Sequence, residues 1–194
     1  MDWGSAGALG DSSFKMVDLI RSGDFISKDE LCEEYRIPVI GGNGVMGYTD
    51  KNNIDKSTIA IGRVGALCGN IHYIDSKSWI TDNTLFIPDW QKDKINLKYL
   101  QRVLEKNNLN SLASQTAQPL ITGELVKKQA IPLPNIEDQT QIVDFLDQKI
   151  SEIDALNNEI RLQIQKLKEY RQSLISEAVT GKIDLSNKAG RFDD

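Results

Sequence analysis

A seven-residue apolar repeat runs without a break through the last third of the chain, from Val143 to Ala178. Its a positions are Val143, Ile150, Asn157, Ile164, Arg171 and Ala178, and its d positions are Leu146, Ile153, Ile160, Leu167 and Leu174. Nine of these eleven positions are apolar, a pattern typical of helices that pair with a second helix of the same kind. The repeat therefore predicts a long coiled-coil helix, and the competing interpretation is an amphipathic helix packed on its own domain. The two polar a positions lower the stability of a pair but restrict its register and direction.

The sequence also signals both ends of this helix. Asn135 is a favourable N-cap residue and follows the Pro-rich stretch that ends at Pro134. Gly181 can adopt the left-handed conformation that commonly ends a helix. We therefore assign residues 135–181 to a dimerisation and spacer helix and residues 182–194 to a polar tail.

The preceding residues predict one compact α+β domain at 14–134, so that the fold class is a mixed α/β domain followed by a long helix. The stretches Ser57–Arg63 and Cys68–Ile74 predict strands, and Trp79–Ile87 predicts either two strands or one irregular strand. Asn96–Lys106 predicts a helix with Asn96 as its cap. Shorter predicted elements are a capped turn at Ser27–Glu30, an extended run at Ile37–Ile40 and a helix capped by Thr122.

The charge balance argues against a domain that binds nucleic acid through net charge alone. The whole chain carries 23 Lys and Arg against 28 Asp and Glu, a formal charge of −5. Most of this excess lies in residues 135–194, and residues 1–134 are nearly neutral. A DNA-binding surface must therefore be a local patch, or a partner must supply much of the affinity.

The composition favours a reduced, cytoplasmic protein. Cys32 and Cys68 are far apart and match no metal-binding spacing, so we expect free thiols. Residues 1–13 lack the basic start and apolar stretch of a secretory signal and are expected to form a flexible leader. No apolar run approaches the roughly 18 residues that span a bilayer.

Motifs for chemistry are weak in this sequence. Residues 42–47 match G-x-G-x-x-G, but turn-forming residues follow where a dinucleotide-binding loop needs a helix. A loop that lets the backbone approach a neighbour or a ligand closely is the better interpretation. His72 is the only histidine, and with two distant cysteines it cannot form a zinc site or a usual triad. We therefore predict a non-catalytic protein without a metal or cofactor.

Polar side chains suited to base edges and phosphates are frequent in the predicted loops of the middle section. Asn and Gln can pair bidentately with adenine, Arg pairs with guanine, and Lys binds phosphate. Ordinary loop polarity is the alternative explanation. The candidate DNA-binding residues are Asn43, Tyr48, Lys51, Asn52, Arg63, Asn70, Lys77, Asn83, Gln115 and Gln118.

Several stretches resemble the specificity (S) subunits of Type I restriction-modification enzymes. They are IPVIGGNGVMGY, IAIGRVGALCGNIHYI, WITDNT, AQPLIT, IPLPNIEDQTQIVDFLDQKISEIDAL and LKEYRQSLISEAVTGKIDL. The most specific part is the Pro-rich entry to a coiled-coil helix that ends in EAVTGKI. A full S subunit carries two target-recognition domains and two conserved helices, whereas this chain has one of each and so resembles a half subunit or a truncated one.

The resemblance implies a DNA sequence-recognition subunit whose domain at 14–134 reads one half of a split target in the major groove. It also implies that the long helix acts as a ruler, as the two antiparallel helices of full-length members do, here within a homodimer. The expected partners are double-stranded DNA, an adenine-N6 methyltransferase (modification) subunit and a restriction subunit. The rival hypotheses are a coiled-coil adaptor that binds protein and has no DNA specificity, and a nucleotide-binding oxidoreductase built on residues 42–47.

Overall fold

The computed structural model describes residues 19–113 and 119–182. It divides into two units, one that extends to Val143 and one that begins at Asp144. The first unit contains seven strands, β1 to β7, which are Leu19–Ser22, Ile37–Gly41, Gly44–Thr49, Thr58–Gly62, Ile71–Ile74, Trp79–Ile80 and Thr84–Asp89. Three α-helices follow, α1 at Leu97–Lys106, α2 at Gly123–Lys127 and α3 at Ile136–Val179. The predicted α+β class with a long C-terminal helix is confirmed.

The strands form two sheets. The four-stranded sheet has the order β1-β7-β4-β5 and is antiparallel throughout. The three-stranded sheet has the order β3-β2-β6, in which β2 and β3 form an antiparallel hairpin and β2 runs parallel to β6. Every residue of β4 is buried, which agrees with its nearly continuous apolar sequence. This strand lies at the centre of the main core.

Helix α1 covers the main core through one apolar face. Leu97, Leu100 and Leu104 are buried and join the core cluster that contains Ile59. The Asn96 side chain accepts hydrogen bonds from two backbone N–H groups of the first turn, which confirms the predicted cap. Burial of each leucine contributes roughly 1.5–3 kcal/mol, so the helix is held mainly by packing rather than by its own propensity.

The stretch Trp79–Ile87 forms two strands that belong to different sheets. Strand β6 pairs with β2, whereas β7 pairs with β1 and β4. A turn at Asp82 and Asn83 separates them. The Thr81 N–H donates to the carbonyl of Ile40 over 3.0 Å, which continues the β2–β6 pairing up to the turn. The chain therefore changes sheets here, and the sequence alone allowed either two strands or one.

Both ends of α3 follow the predicted signals. The Asn135 side-chain oxygen accepts a hydrogen bond of 2.8 Å from the backbone N–H of Asp138. At the other end Gly181 has a φ of +71°, and Lys182 N–H donates to the Glu177 carbonyl over 2.9 Å. This pair of features is a Schellman cap. The helix has 44 residues and is therefore about 66 Å long.

The first turn of α3 is anchored to the first unit by one buried amide, which the sequence did not predict. Gln139 is fully buried. Its Oε1 accepts from the backbone N–H of Asn96 over 2.9 Å, and its Nε2 donates to the carbonyls of Lys94 and Pro134 over 2.8 and 2.9 Å. These three bonds satisfy the amide and fix where α3 begins.

From Ile150 to Leu174 the apolar repeat is exposed. Gln139 and Val143 are the buried residues of α3, whereas Ile153, Ile160 and Leu167 are each more than half exposed. In residues 19–113 and 119–182, no helix is long and apolar enough to cross a membrane.

Candidate nucleic-acid interface

Four connecting segments meet at one end of the first unit, and we call them the turn cluster. They are the β2–β3 turn at residues 42–43, the β4–β5 connection at residues 63–70, the β6–β7 turn at residues 82–83 and the segment at residues 119–121. The strand directions explain the meeting, because β2, β4 and β6 end here while β3, β5 and β7 begin here. The last segment joins through hydrogen bonds from Gly65 N–H to the Pro119 carbonyl and from Ile121 N–H to the Arg63 carbonyl.

Backbone contacts between glycines hold the turn cluster together. A Cβ atom on Gly62 would lie 2.5 Å from the carbonyl oxygen of Gly42 and 2.7 Å from that of Leu67. These distances are too short for any side chain, so the approach requires glycine at position 62. Gly62 N–H also donates to the Asn70 carbonyl over 2.9 Å, and Gly69 N–H donates to the Gly62 carbonyl over 2.7 Å. The connecting segments are therefore fixed by main-chain contacts.

This packing also explains the G-x-G-x-x-G motif at residues 42–47. Its first glycine is packed against backbone atoms of Gly62 and Asn83, and residues 44–47 form the start of β3 rather than a helix. A dinucleotide site needs a helix N-terminus at the last glycine, so the structure contradicts the oxidoreductase hypothesis. The close approach to a neighbouring segment, which we predicted as the alternative, is confirmed.

Four of the predicted DNA-binding residues lie in the turn cluster, namely Asn43, Arg63, Asn70 and Asn83. The Asn70 amide donates to the Asn43 side-chain oxygen over 3.1 Å. The Arg63 guanidinium donates to the backbone carbonyl of Asp82 over 3.2 Å. An open recess of about 280 Å³ is lined by Arg63, Val64, Asn83 and Leu120. One guanidinium and three amides are thus presented on one surface.

Four other predicted residues lie at the opposite end of the three-stranded sheet: Tyr48, Lys51, Asn52 and Lys77. Strand β3 ends near the first two, and β6 begins after the last. Lys51 forms an ion pair with Glu30, and Asn52 donates to the carbonyl of Ile54 over 3.3 Å. The eight predicted residues that the structure describes therefore do not form one surface.

The Lys51–Glu30 pair changes the ionisation of its carboxyl group. The hydrogen bond from Lys51, together with the backbone and side-chain bonds from Ser27, lowers the pKa of Glu30 from 4.5 to about 2. The Ser27 N–H donates to the Glu30 carboxylate over 3.0 Å, which confirms the predicted capped turn. The Lys51 ammonium would have to exchange this carboxylate for a phosphate in order to bind DNA.

Gln115 and Gln118 complete the predicted set and lie outside the described residues. The chain is described again from Pro119, whose carbonyl accepts the bond from Gly65 in the turn cluster. The residues that directly follow Gln118 therefore belong to the same surface as Arg63.

The sequence missed two apolar side chains beside the β2–β3 turn. Val45 and Met46 are consecutive in β3, yet they are 58% and 57% exposed. Strict strand alternation would have placed one of them inside, but a register shift between Val39 and Ile40 interrupts the pattern. Exposed apolar groups next to amide side chains are suited to contact the methyl group of thymine.

The structure gives no support to metal or thiol chemistry in the residues that it describes. No group of three His, Cys, Asp or Glu side chains there could hold a metal ion. Cys32 is exposed, Cys68 is buried, and both are free thiols. His72 lies on β5, paired with Ala60, and its buried Nε2 has no hydrogen-bond partner.

Comparison with known proteins identifies the family. The Type I restriction modification DNA specificity domain matches residues 13–166. The chain belongs to this Type I specificity family. Specificity subunits are the non-catalytic components of Type I restriction-modification systems, which agrees with the prediction that the chain performs no chemistry. The family membership does not favour the adaptor hypothesis, in which the protein has no DNA specificity.

Relatives and solved structures agree with this assignment. The chain is 32% identical over 145 residues to the Type I restriction enzyme EcoprrI specificity subunit of Escherichia coli. This alignment covers 73% of the chain and 35% of that protein. The Type I S subunit from M. genitalium matches with a TM-score of 0.61 at 22% identity, over 81% of the chain and 43% of that protein. The HsdS subunit from Thermoanaerobacter tengcongensis matches with a TM-score of 0.55 at 20% identity, over 84% of the chain and 43% of that protein. The chain thus spans less than half the length of these Type I subunits, and the structural matches show the shared fold.

Proposed function

We propose that this chain is a DNA target-recognition module that reads one half of a bipartite target through the turn cluster. The observation that carries the proposal is the convergence of Asn43, Arg63, Asn70 and Asn83 on one surface. Amide and guanidinium groups are the side chains that pair bidentately with adenine and guanine in the major groove. The chain also belongs to a family named for DNA specificity, which favours base recognition as the use of this combination.

The locked backbone of the turn cluster supports a reading role. Base recognition needs donors and acceptors that hold their positions before DNA arrives, because ordering them on binding costs free energy. The contact between Gly42 and Gly62 holds the main chain of the turn cluster in place. The hydrogen bond between Asn43 and Asn70 holds their two side chains in place. Val45 and Met46 add apolar contacts at the same edge.

The residues at the opposite end of the sheet have a different proposed role. Tyr48, Lys51, Asn52 and Lys77 are polar, and a lysine there binds phosphate rather than a base edge. Contacts of that kind position DNA without reading its sequence. They also serve as controls for the turn cluster, because they are separated from it by the length of the sheet.

We further propose that the chain assembles with a modification subunit and a restriction subunit in the cytoplasm. The net charge of −5 leaves most of the phosphate neutralisation to a partner, since binding of a polyanion needs cations. A methyltransferase subunit that clamps the DNA would supply them. Adenine-N6 methylation and cleavage would belong to these partners.

The exposed repeat of α3 provides a surface for self-association. Its proposed dimerisation residues are Val143, Leu146, Ile150, Ile153, Asn157, Ile160, Ile164, Leu167, Arg171 and Leu174. Val143 is buried within the first unit, and the side chains from Ile150 onward are exposed. Two copies of a self-complementary stripe pair most simply about a two-fold axis. The homodimer would set the distance between the two target-recognition domains.

A binding titration with a matched pair of variants tests the reading role. The chain, with a modification subunit present, is titrated with a library of duplexes, and Arg63→Ala is compared with Lys77→Ala. Each variant removes one cation, so the two variants should lose the same amount of affinity for DNA of unrelated sequence. If Arg63 reads guanine, Arg63→Ala costs about 1–3 kcal/mol at one base position. Wild-type binding that is indifferent to sequence would defeat the proposed function.

A further inference from the structure

We infer that four charged residues beside the apolar stripe select a single register for two copies of α3, within the antiparallel pairing that the resemblance to S subunits implies. The inference rests on the proposed self-association and specifies its partner as a second copy of this chain. The four residues are Asp147, Asp154, Arg161 and Lys168, and each directly follows a d position. They are therefore the e positions of the repeat, which flank the seam of a coiled coil.

The sign of these charges changes once along the helix. The two positions nearer the start of α3 are acidic, and the two nearer the end are basic. Asp154, Arg161 and Lys168 have no residue of opposite charge three or four positions away on their own helix, where such residues form pairs. Lys149, which is a g residue, does have one and forms an ion pair of 2.7 Å with Glu152. The charges of Asp154, Arg161 and Lys168 are thus suited to pair with a second helix.

An antiparallel pair brings e residues against e residues, with a positions opposite d positions. In one register all eight seam residues from Leu146 to Arg171 find a partner in the second copy. The opposed pairs are Leu146 with Arg171, Ile150 with Leu167, Ile153 with Ile164, and Asn157 with Ile160. Val143 remains outside the seam because it is buried within the first unit. The two-fold axis then passes between Asn158 and Glu159.

In this register the flanking charges are complementary. Asp154 of one copy faces Arg161 of the other, and Asp147 faces Lys168, so the dyad generates four attractive pairs. Each pair is offset by about 3 Å along the axis, which is two residues at 1.5 Å each. Arg171 lies opposite Leu146 of the second copy and so comes close to the neighbouring Asp147. The Asp147 carboxylate can therefore neutralise the charge of the Arg171 guanidinium in the seam.

The neighbouring registers bring like charges together. A shift by one heptad in one direction places Asp154 opposite Asp154 of the second copy, and a shift in the other direction places Arg161 opposite its own copy. A parallel pair in register would place Arg171 against Arg171 within the seam. Like charges at these distances repel. Each shifted antiparallel register keeps only two attractive pairs, Asp147 with Arg161 or Asp154 with Lys168, against four attractive pairs and no like pair in the inferred register. The charges therefore disfavour each alternative. The e residues therefore select one arrangement out of several that the apolar residues permit.

Charge reversal tests the pairing directly. Asp154→Lys and Arg161→Glu, made singly in the full chain, should each weaken the homodimer by on the order of tenfold at low salt, because attractive exposed pairs become repulsive. When the two variants are mixed, one Asp154–Arg161 contact is native and the other is a charge-reversed Lys–Glu contact, so a heterodimer should form with near wild-type affinity. The double variant should recover as a homodimer. Sedimentation equilibrium without DNA measures all four cases.

A distance measurement distinguishes the registers. A spin label at Ser173→Cys, in a Cys32→Ser background because Cys32 is exposed, should lie about 44 Å from its copy in the inferred register. The heptad-shifted registers predict about 54 Å and about 33 Å, and a parallel pair predicts less than about 20 Å. Any of these other distances would overturn the register.

The outcomes also separate this inference from the proposed reading role. Sequence-selective DNA binding with a wild-type chain that stays monomeric at all concentrations would reject the pairing and leave the reading role intact. A wild-type dimer whose single variants fail to form the mixed dimer would reject the register alone. Circular dichroism of each variant confirms that the helix still forms.

Discussion

At the scale of single residues, the contact between Gly42 and Gly62 matters most for the candidate site. It brings two main chains so close that a Cβ atom would lie 2.5 Å from a carbonyl oxygen. The turn that carries Asn43 and the strand that leads to Arg63 are held together by this approach. Neither glycine contacts a base in the proposed function, yet both determine where the reading side chains stand.

Gly62→Ala should therefore destabilise the protein and reduce DNA selectivity together. The added methyl group forces the two segments apart, and overpacking of this kind costs about 1–3 kcal/mol or more. Urea unfolding followed by tryptophan fluorescence gives the free energy of unfolding. Gly47→Ala is the control, because its Cβ would lie 3.4 Å from a flexible Leu31 side chain. Equal effects of the two substitutions would contradict the role of the Gly42–Gly62 contact.

The pair of Glu30 and Lys51 predicts a dependence of stability on pH. The folded pKa of Glu30 is lowered from 4.5 to about 2, first by the hydrogen bond from Lys51. A lowered folded pKa stabilises the protein above the unfolded value and loses this contribution as the pH falls towards the folded value. We expect the wild type to lose more stability than Glu30→Gln between pH 5 and about pH 2. Thermal unfolding midpoints that fall in parallel for both proteins would contradict this.

At the scale of secondary-structure elements, the local signals predicted the ends of helices well. Asn96, Thr122 and Asn135 each accept a hydrogen bond from the first turn of the helix that follows, and Gly181 ends α3. Capping depends on residues a few positions apart, so a single sequence contains the information. Strand pairing depends on distant segments, and for this reason the separation of β6 and β7 into two sheets could not be derived.

The anchor of α3 was unpredictable for the same reason. The sequence gives Gln139 the character of an exposed helix residue, but two of its three partners are more than 40 positions away in the Lys94–Asn96 segment. The same limit applies to the turn cluster. The sequence identified ten polar candidates by residue type, whereas the sheet topology decides that Asn43, Arg63, Asn70 and Asn83 meet.

Gln139→Ala should destabilise the first unit by about 2–4 kcal/mol, because it leaves a buried N–H group and two buried carbonyls unsatisfied and opens a cavity. Gln139→Glu should be at least as harmful, since a carboxylate cannot donate to the carbonyls of Lys94 and Pro134. The control is Gln148→Ala, which removes an exposed amide that bonds Glu152 within the helix. Urea unfolding measures all three, and a loss for Gln139→Ala no larger than the control would contradict the anchor.

At the scale of the whole molecule, self-pairing of two identical chains would constrain the target. Two equivalent target-recognition domains related by a two-fold axis read the same half-site in opposite orientations. The proposed assembly therefore predicts an interrupted palindrome with half-sites about one helical turn apart. Selection of bound duplexes from a random library, with the modification subunit present, reveals the motif. An asymmetric motif would contradict the homodimer as the reading unit.

The main-chain contact at Gly62 has a consequence for how such a protein can acquire new targets. Since the framework of the reading surface is built from backbone atoms, its geometry makes few demands on the side chains that project from it. In the proposed function, substitutions at Asn43 or Arg63 would change the preferred base while the backbone beneath them keeps its shape. A change of specificity would then need only point substitutions, with no change of the fold.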